Sequence, residues 1–258
     1  MARLTFIACI LLALLAVSLG ASRRSFFAVS KTAHTNEIVV TPLTNLSTTA
    51  LETSYTTPAF TPVSNSLIMM PVHTSPVPGG YTVTNDGATQ LVWHSIGFTN
   101  DAGTSILTIF ITALPIGVSP FSMTVNIQGT AVSWTGGEIQ LYSVTGYDQT
   151  LAYGTNAIAS VAVTNVTATT TLGLMTFNAP DAYGENTLMA FASFNSTSGL
   201  QPQSPWSEGF DGNHGTPSYN LMTAWTNNVR TITSYVATNN SSAKYMGAVV
   251  QIRAGVTR

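Results

Sequence analysis

The sequence predicts an all-β chain: an antiparallel β-sandwich of jelly-roll type with about 10–13 strands, preceded by an apolar leader helix and an extended arm. Three observations carry that reading. Short segments rich in Val, Ile, Thr, Phe, Tyr and Trp recur at near-regular spacing. Gly, Asn, Asp and Pro part them, each a residue suited to turns. Past the N-terminus no segment carries a helical period.

The chain begins with a short positive region, Met1–Arg3, and an apolar stretch, Leu4–Ala21, that ends in small residues. Residues 1–21 read as a signal peptide, with an uncleaved anchor as the rival. Residues 22–57 form a Thr/Ser/Pro-rich arm or linker, in which 36–43 is a candidate strand suited to adding to a neighbour's open sheet edge. Residues 58–258 are the β-sandwich domain. Its candidate strands are 66–73, 80–84, 89–98, 105–113, 121–128, 137–145, 158–164, 171–178, 187–195, 219–226, 231–237 and 245–253. In Met123-Thr-Val125-Asn-Ile127-Gln the apolar residues take every second position, so one face is buried. Asn85-Asp86-Gly87 is a hairpin turn signal. No internal repeat of fixed period is visible.

Charge narrows the partners. From Thr32 to Val229 there is no lysine and no arginine, yet all ten carboxylates lie there. At average composition that stretch carries roughly twenty basic side chains. Without them the body has no footing for nucleic acid, nucleotide phosphate or anionic membrane. Charged residues are 7% of the chain, so Ser, Thr, Asn and Gln solvate the surface. The one cysteine, Cys9, lies in the leader, so the mature chain holds no disulfide. At low pH the carboxylates neutralise and self-repulsion falls, which predicts acid tolerance.

Candidate sites are few. Gln201 to Tyr219 reads as a loop long enough to merit a role, gathering Trp206, Glu208, Asp211, Asn213 and His214. In a glycan site Trp206 stacks on a pyranose ring and the polar groups hold its hydroxyls. In a calcium site Asp211 and Asn213 supply hard oxygens, joined by Asp181 and Glu185 from a second acidic turn. As a carboxylate pair, Glu208 and Asp211 have the residue types of a glycoside hydrolase. The plain alternative is a structural loop with Trp206 buried on the sheet. His34, His73 and His214 lack metal-ligand spacing, and there is no Gly-x-Ser-x-Gly elbow. Asn45, Asn165, Asn195, Asn239 and Asn240 stand in N-glycosylation patterns. No cofactor is expected other than calcium.

The order of segments carries a resemblance. "TPAFTPVSNSLIMMPV" leads to the hairpin "YTVTNDGATQLVW", then "SILTIFITALP", then "VNIQGTAVSWTGGEIQLYSVTGYD", and the chain closes on "GAVVQIRA". Over about residues 57–254 this resembles a jelly-roll-type β-sandwich module of phage tail-associated and secreted bacterial and environmental proteins. The resemblance implies surface or virion display and brings no catalytic motif. The resulting expectation is a secreted or cell-surface, non-catalytic structural subunit of a surface, matrix or filament assembly, whose partner is itself. The alternatives are a carbohydrate-binding module for neutral glycans using the 201–219 loop, and a virion or tail-associated protein.

Overall fold

The computed structural model describes residues 37–101, 104–130, 133–150, 152–171, 175–176, 186–195, 199–214, 219–227, 232, 234–235 and 237–255. The leader, the start of the arm, and Asp181 and Glu185 lie outside them. The described residues form antiparallel sheets and a single 3₁₀ turn, Ala152–Ala157.

The N-terminal half supplies β1 (Val39–Thr48), β2 (Ser54–Thr56), β3 (Leu67–Ser75), β4 (Tyr81–Asn85), β5 (His94–Asn100), β6 (Ile106–Ala113), β7 (Val125–Gly129) and β8 (Gly136–Thr145). They make a five-stranded sheet, β1-β8-β3-β6-β5, and a three-stranded sheet, β2-β7-β4. The C-terminal half supplies β9 (Ile158–Thr171), β10 (Met175–Thr176), β11 (Thr187–Phe194), β12 (Gln201–Pro202), β13 (Ser207–His214), β14 (Tyr219–Asn227), β15 (Ser234–Tyr235) and β16 (Ala237–Ile252). Here β16 joins β9 and β12 on one side and continues as β11-β14-β13, while β10 pairs β15. The large sheet of the second half thus repeats that of the first with each strand advanced by eight: β9-β16-β11-β14-β13 follows β1-β8-β3-β6-β5, while β12 pairs β16 where its counterpart β4 pairs β7.

The repeat extends to register. Leu67 lies between Ala113 and Val144, and Thr187 lies between Asn227 and Ile252. Counting on from those rows, the edge strand bulges after Ser95, opposite Phe110, in one half and after Glu208, opposite Ala224, in the other. Those two rows are equivalent. The repeat missing from the sequence is therefore present in the topology.

The two large sheets face each other over one core. Leu67, Met69, Ile109, Ile111 and Tyr142 meet Met189, Phe191, Leu221, Ala248 and Val250 there. The outer face of the first large sheet is buried too, with Ile68, Met70, Phe110, Ile139 and Leu141 packed on Val125, Ile127 and Trp134. On the second large sheet, Leu188, Ala190, Met222 and Ala224 lie under Leu200, Trp206 and Tyr235. Burial on both faces explains why β3, β6, β11 and most of β14 read as nearly unbroken apolar or hydroxyl runs.

Three expectations are corrected. Among the described residues the strands number sixteen, because short pieces and edge strands of weak apolar content escaped the pattern. The sheets take in residues ahead of 58: β1 runs antiparallel along β8 from Val39↔Thr145 to Thr48↔Gly137, and β2 pairs β7. The segment expected to reach a neighbour's edge is thereby hydrogen-bonded to its own chain. Finally, 201–219 is not a long loop; β12 and β13 occupy most of it.

Trp134 is fully buried between Tyr55 and Tyr81, with Gly129 beneath its indole. Trp134→Ala is expected to cost about 3–5 kcal/mol of unfolding free energy, read as a lower urea midpoint at unchanged slope.

Candidate functional site

One connected set of buried polar side chains lies between the two large sheets. β8 runs Glu138-Ile-Gln140-Leu-Tyr142, so Ile139 and Leu141 face outward to the small sheet while Glu138, Gln140 and Tyr142 face inward. Opposite them lie β13 and β14. All three side chains are fully buried.

At one end of the chain of contacts His73 of β3 and His214 of β13 meet through Nδ1 and Nε2. The other ring nitrogen of His214 lies 3.3 Å from Glu138 Oε2, and both side chains have 0% exposure. The second carboxylate oxygen accepts from Gln140 Nε2 at 2.6 Å, and the same amide donates to Leu221 O at 2.7 Å. Gln140 Oε1 accepts from Thr223 Oγ1 at 2.6 Å and from Tyr142 Oη at 3.1 Å. Tyr142 Oη in turn accepts from the Phe210 amide at 3.0 Å. A carboxylate can only accept, so His214 presents a protonated Nδ1 to it, and a single proton serves the contact between the two rings. His73 Nε2 is buried without a partner.

The glycines of β13 fit this packing. A Cβ on Gly212 would sit 2.6 Å from Glu138 Oε1, and one on Gly209 would sit 2.8 Å from Tyr142 Oη. Only a residue without a side chain lets β13 lie that close to the buried groups. Asp211-Gly-Asn213, which suggested a cation loop, owes its glycine to Glu138.

The residues singled out in the sequence part company here. Trp206 is 9% exposed and packs edge-on against Tyr235, with ring centroids 4.7 Å apart, so its faces are not open to a sugar. Glu208, Asp211 and Asn213 lie on the exposed side of β13, whereas His214 ends the strand in the buried chain. Burial pushes the Glu208 carboxyl up, with help from the Asp211 charge. Burial also raises Asp211, against hydrogen bonds from Asn220 and the Leu200 amide. Among the described residues no group of three His, Cys, Asp or Glu is arranged to hold a metal ion. Asn45 lies on β1, Asn195 follows β11, and Asn165 on β9 donates to Asn100 O at 2.8 Å. Asn239 and Asn240 fall on β16. Glu138, Gln140 and Tyr142 were missed, because alternation on β8 marks a polar face without saying that it is dry; Thr223 of β14 was missed as one hydroxyl in an apolar run, and His73 was weighed only for metal spacing.

No family model, no curated protein and no solved structure matches this chain.

Burial, and secondarily the neighbouring His214, holds the His73 imidazole well below its ordinary value of 6.5. The folded ring stays neutral at a pH where the unfolded chain binds a proton. Stability is therefore greatest above 6.5 and falls as pH drops below it, until the folded ring also titrates. Glu208 and Asp211 act in the opposite sense: their raised values favour the folded state in acid and lose that contribution as pH rises through them. Together these directions predict a decline below 6.5 with partial recovery where the carboxylates protonate. Urea midpoints measured against pH are expected to fall across the first part of that range for the native chain and to stay level for His73→Gln.

Proposed function

We propose that this chain is an exported structural subunit of a surface, matrix or filament assembly, built from two jelly rolls in tandem. The carrying observation is the doubled strand order. A jelly roll is a long antiparallel ribbon rolled up, so that its first strand meets its eighth, its second its seventh and its third its sixth. In the first half β1 pairs β8, β2 pairs β7 and β3 pairs β6. In the second half β9 pairs β16, β10 pairs β15 and β11 pairs β14. Two departures stand: in both halves β5 and β13 stay beside β6 and β14 at the edge of the large sheet, and in the second half β12 pairs β16, whereas its counterpart β4 pairs β7.

This topology supports a building-block role and fits the resemblance to displayed and virion modules. Two interlocked rolls with large sheets buried on both faces make a stiff body. A surface poor in charge lets copies approach without strong repulsion. The exposed side chains Leu51, Phe98 and Ile116 add apolar contact area. Glycan binding is the weaker reading, since Trp206 lies under Tyr235.

Light scattering and negative-stain microscopy of the mature protein are expected to reveal ordered oligomers or filaments that grow with concentration. A monodisperse monomer throughout would overturn the structural reading. Glycan binding abolished by Trp206→Ala, without loss of fold, would reinstate the lectin alternative.

A further inference from the structure

We infer that Thr223 and Gln140 join in an intramolecular ester, a covalent strut between the two large sheets formed by the groups around them. The hydroxyl of Thr223 already touches the Gln140 carboxamide, 2.6 Å from Oε1. Attack requires it to turn from that oxygen to the adjoining carbon, Cδ. The remaining groups match the needs of acyl transfer.

Tyr142 Oη donates to Gln140 Oε1, where negative charge develops as the carbonyl is attacked. Burial raises the Tyr142 phenol far above its ordinary range, so this donor keeps its proton. Glu138 Oε1 lies 2.6 Å from Gln140 Nε2, the nitrogen that must leave. Once Thr223 has turned from Oε1 toward Cδ, the carboxylate takes up the hydroxyl proton and hands it to that nitrogen. His214, backed by His73, holds the other oxygen of Glu138 and is a positioning residue. The bond formed is Thr223 Oγ1 to Gln140 Cδ. The bond broken is Gln140 Cδ to Nε2. The hydroxyl proton departs on the nitrogen, giving an ester and ammonia, with no oxidant, metal or co-substrate.

Two physical conditions favour the reaction. The partners are pre-positioned in a fixed contact, which removes the entropic cost of encounter. Both side chains are fully buried, so water to hydrolyse the ester is excluded while ammonia is lost to dilution.

The repeat supplies an internal control. Counting along the matched ladders, Gln140 corresponds to Ala248 and Thr223 to Ile109. Both counterparts belong to the apolar core between the sheets. The same backbone geometry is thus satisfied by hydrocarbon at one of its two occurrences. Buried polar groups are commonly replaceable by apolar ones at little cost, so folding alone does not call for this cluster.

Mass spectrometry of the denatured full chain tests the bond. Trypsin has no site between Lys31 and Arg230, so both residues share one tryptic peptide. An Asp/Glu-directed protease separates them, with Asp148, Asp181, Glu185, Glu208 and Asp211 in between. The expected result is a linked pair of peptides, short of their summed mass by one ammonia, with fragment ions joining Gln140 to Thr223. Thr223→Val and Gln140→Leu are expected to yield separate peptides of unaltered mass, a readout that does not require the variants to stay folded. Separate, full-mass peptides from the native chain would overturn the inference, as would an ammonia loss located at other residues.

Discussion

A carboxylate buried without a lysine or arginine partner is the constraint on which the rest of this structure turns. Taking Glu138 out of water costs several kcal/mol unless other groups replace its hydration. In most proteins an arginine or lysine does so. Here neither type occurs between Thr32 and Val229, and Glu138 is satisfied by the imidazole of His214 and the carboxamide of Gln140. Those partners come from one strand of each sheet, so the two sheets are held at one separation along this line. Gly212 and Gly209 follow from that closeness.

The sandwich around this line is organised by a near-twofold relation between its halves. Ser47 is opposite Glu138 in the first ladder, and Asn165 is opposite Met246 in the second, at the equivalent row. Ser47 donates to the carbonyl of Asn213, and Asn165 donates to the carbonyl of Asn100. The two acceptors are themselves equivalent, each at the end of a bulged edge strand. Each half thus ties its first strand to the other's fifth by the same bond. Bulged edges bend away and pair poorly with foreign strands, which keeps a body rich in strand edges from promiscuous joining.

Much of the fold was legible because burial on both faces leaves continuous runs such as Leu67–Val72 and Ile106–Ala113, bounded by turn residues. The weaker strands were not legible. β1 is broken by Pro42 and by a bulge before Thr44, and β13 carries two glycines and two acids, so both read as linker or loop. The doubling was invisible because a core demands volume and pattern, not identity: Met69 and Met189 coincide at one row, yet Tyr142 faces Val250's position and Leu67 faces Thr187's. The candidate site was least legible. His73 and His214 are 141 positions apart in sequence, and only the packing of β13 onto β8 unites them.

The equivalence of the halves also shows how one fold position can serve two ends. The residue after Asn100 is Asp101, and the residue after Asn213 is His214, so the two are counterparts. Each reaches across to the other half's final strand: His214 to Glu138 on β8, and Asp101 to Lys244 on β16 at 3.3 Å. The Lys244 side chain is 44% exposed, and a pair of that kind contributes about 0–1 kcal/mol. The Glu138 pair is wholly enclosed, and removing one member of such a pair costs about 3–5 kcal/mol, because the survivor is stranded in a dry core. Geometry is shared while energetic consequence is not. The difference arises from depth: the Lys244 ammonium can fall back on water and Asp101 keeps the Thr104 hydroxyl as a donor, whereas Glu138 has only the groups that the two sheets bring to it. The half whose lysine reaches solvent does not depend on that pair, and the half that encloses Glu138 ties His214, Gln140, Gly212 and the path of β13 together.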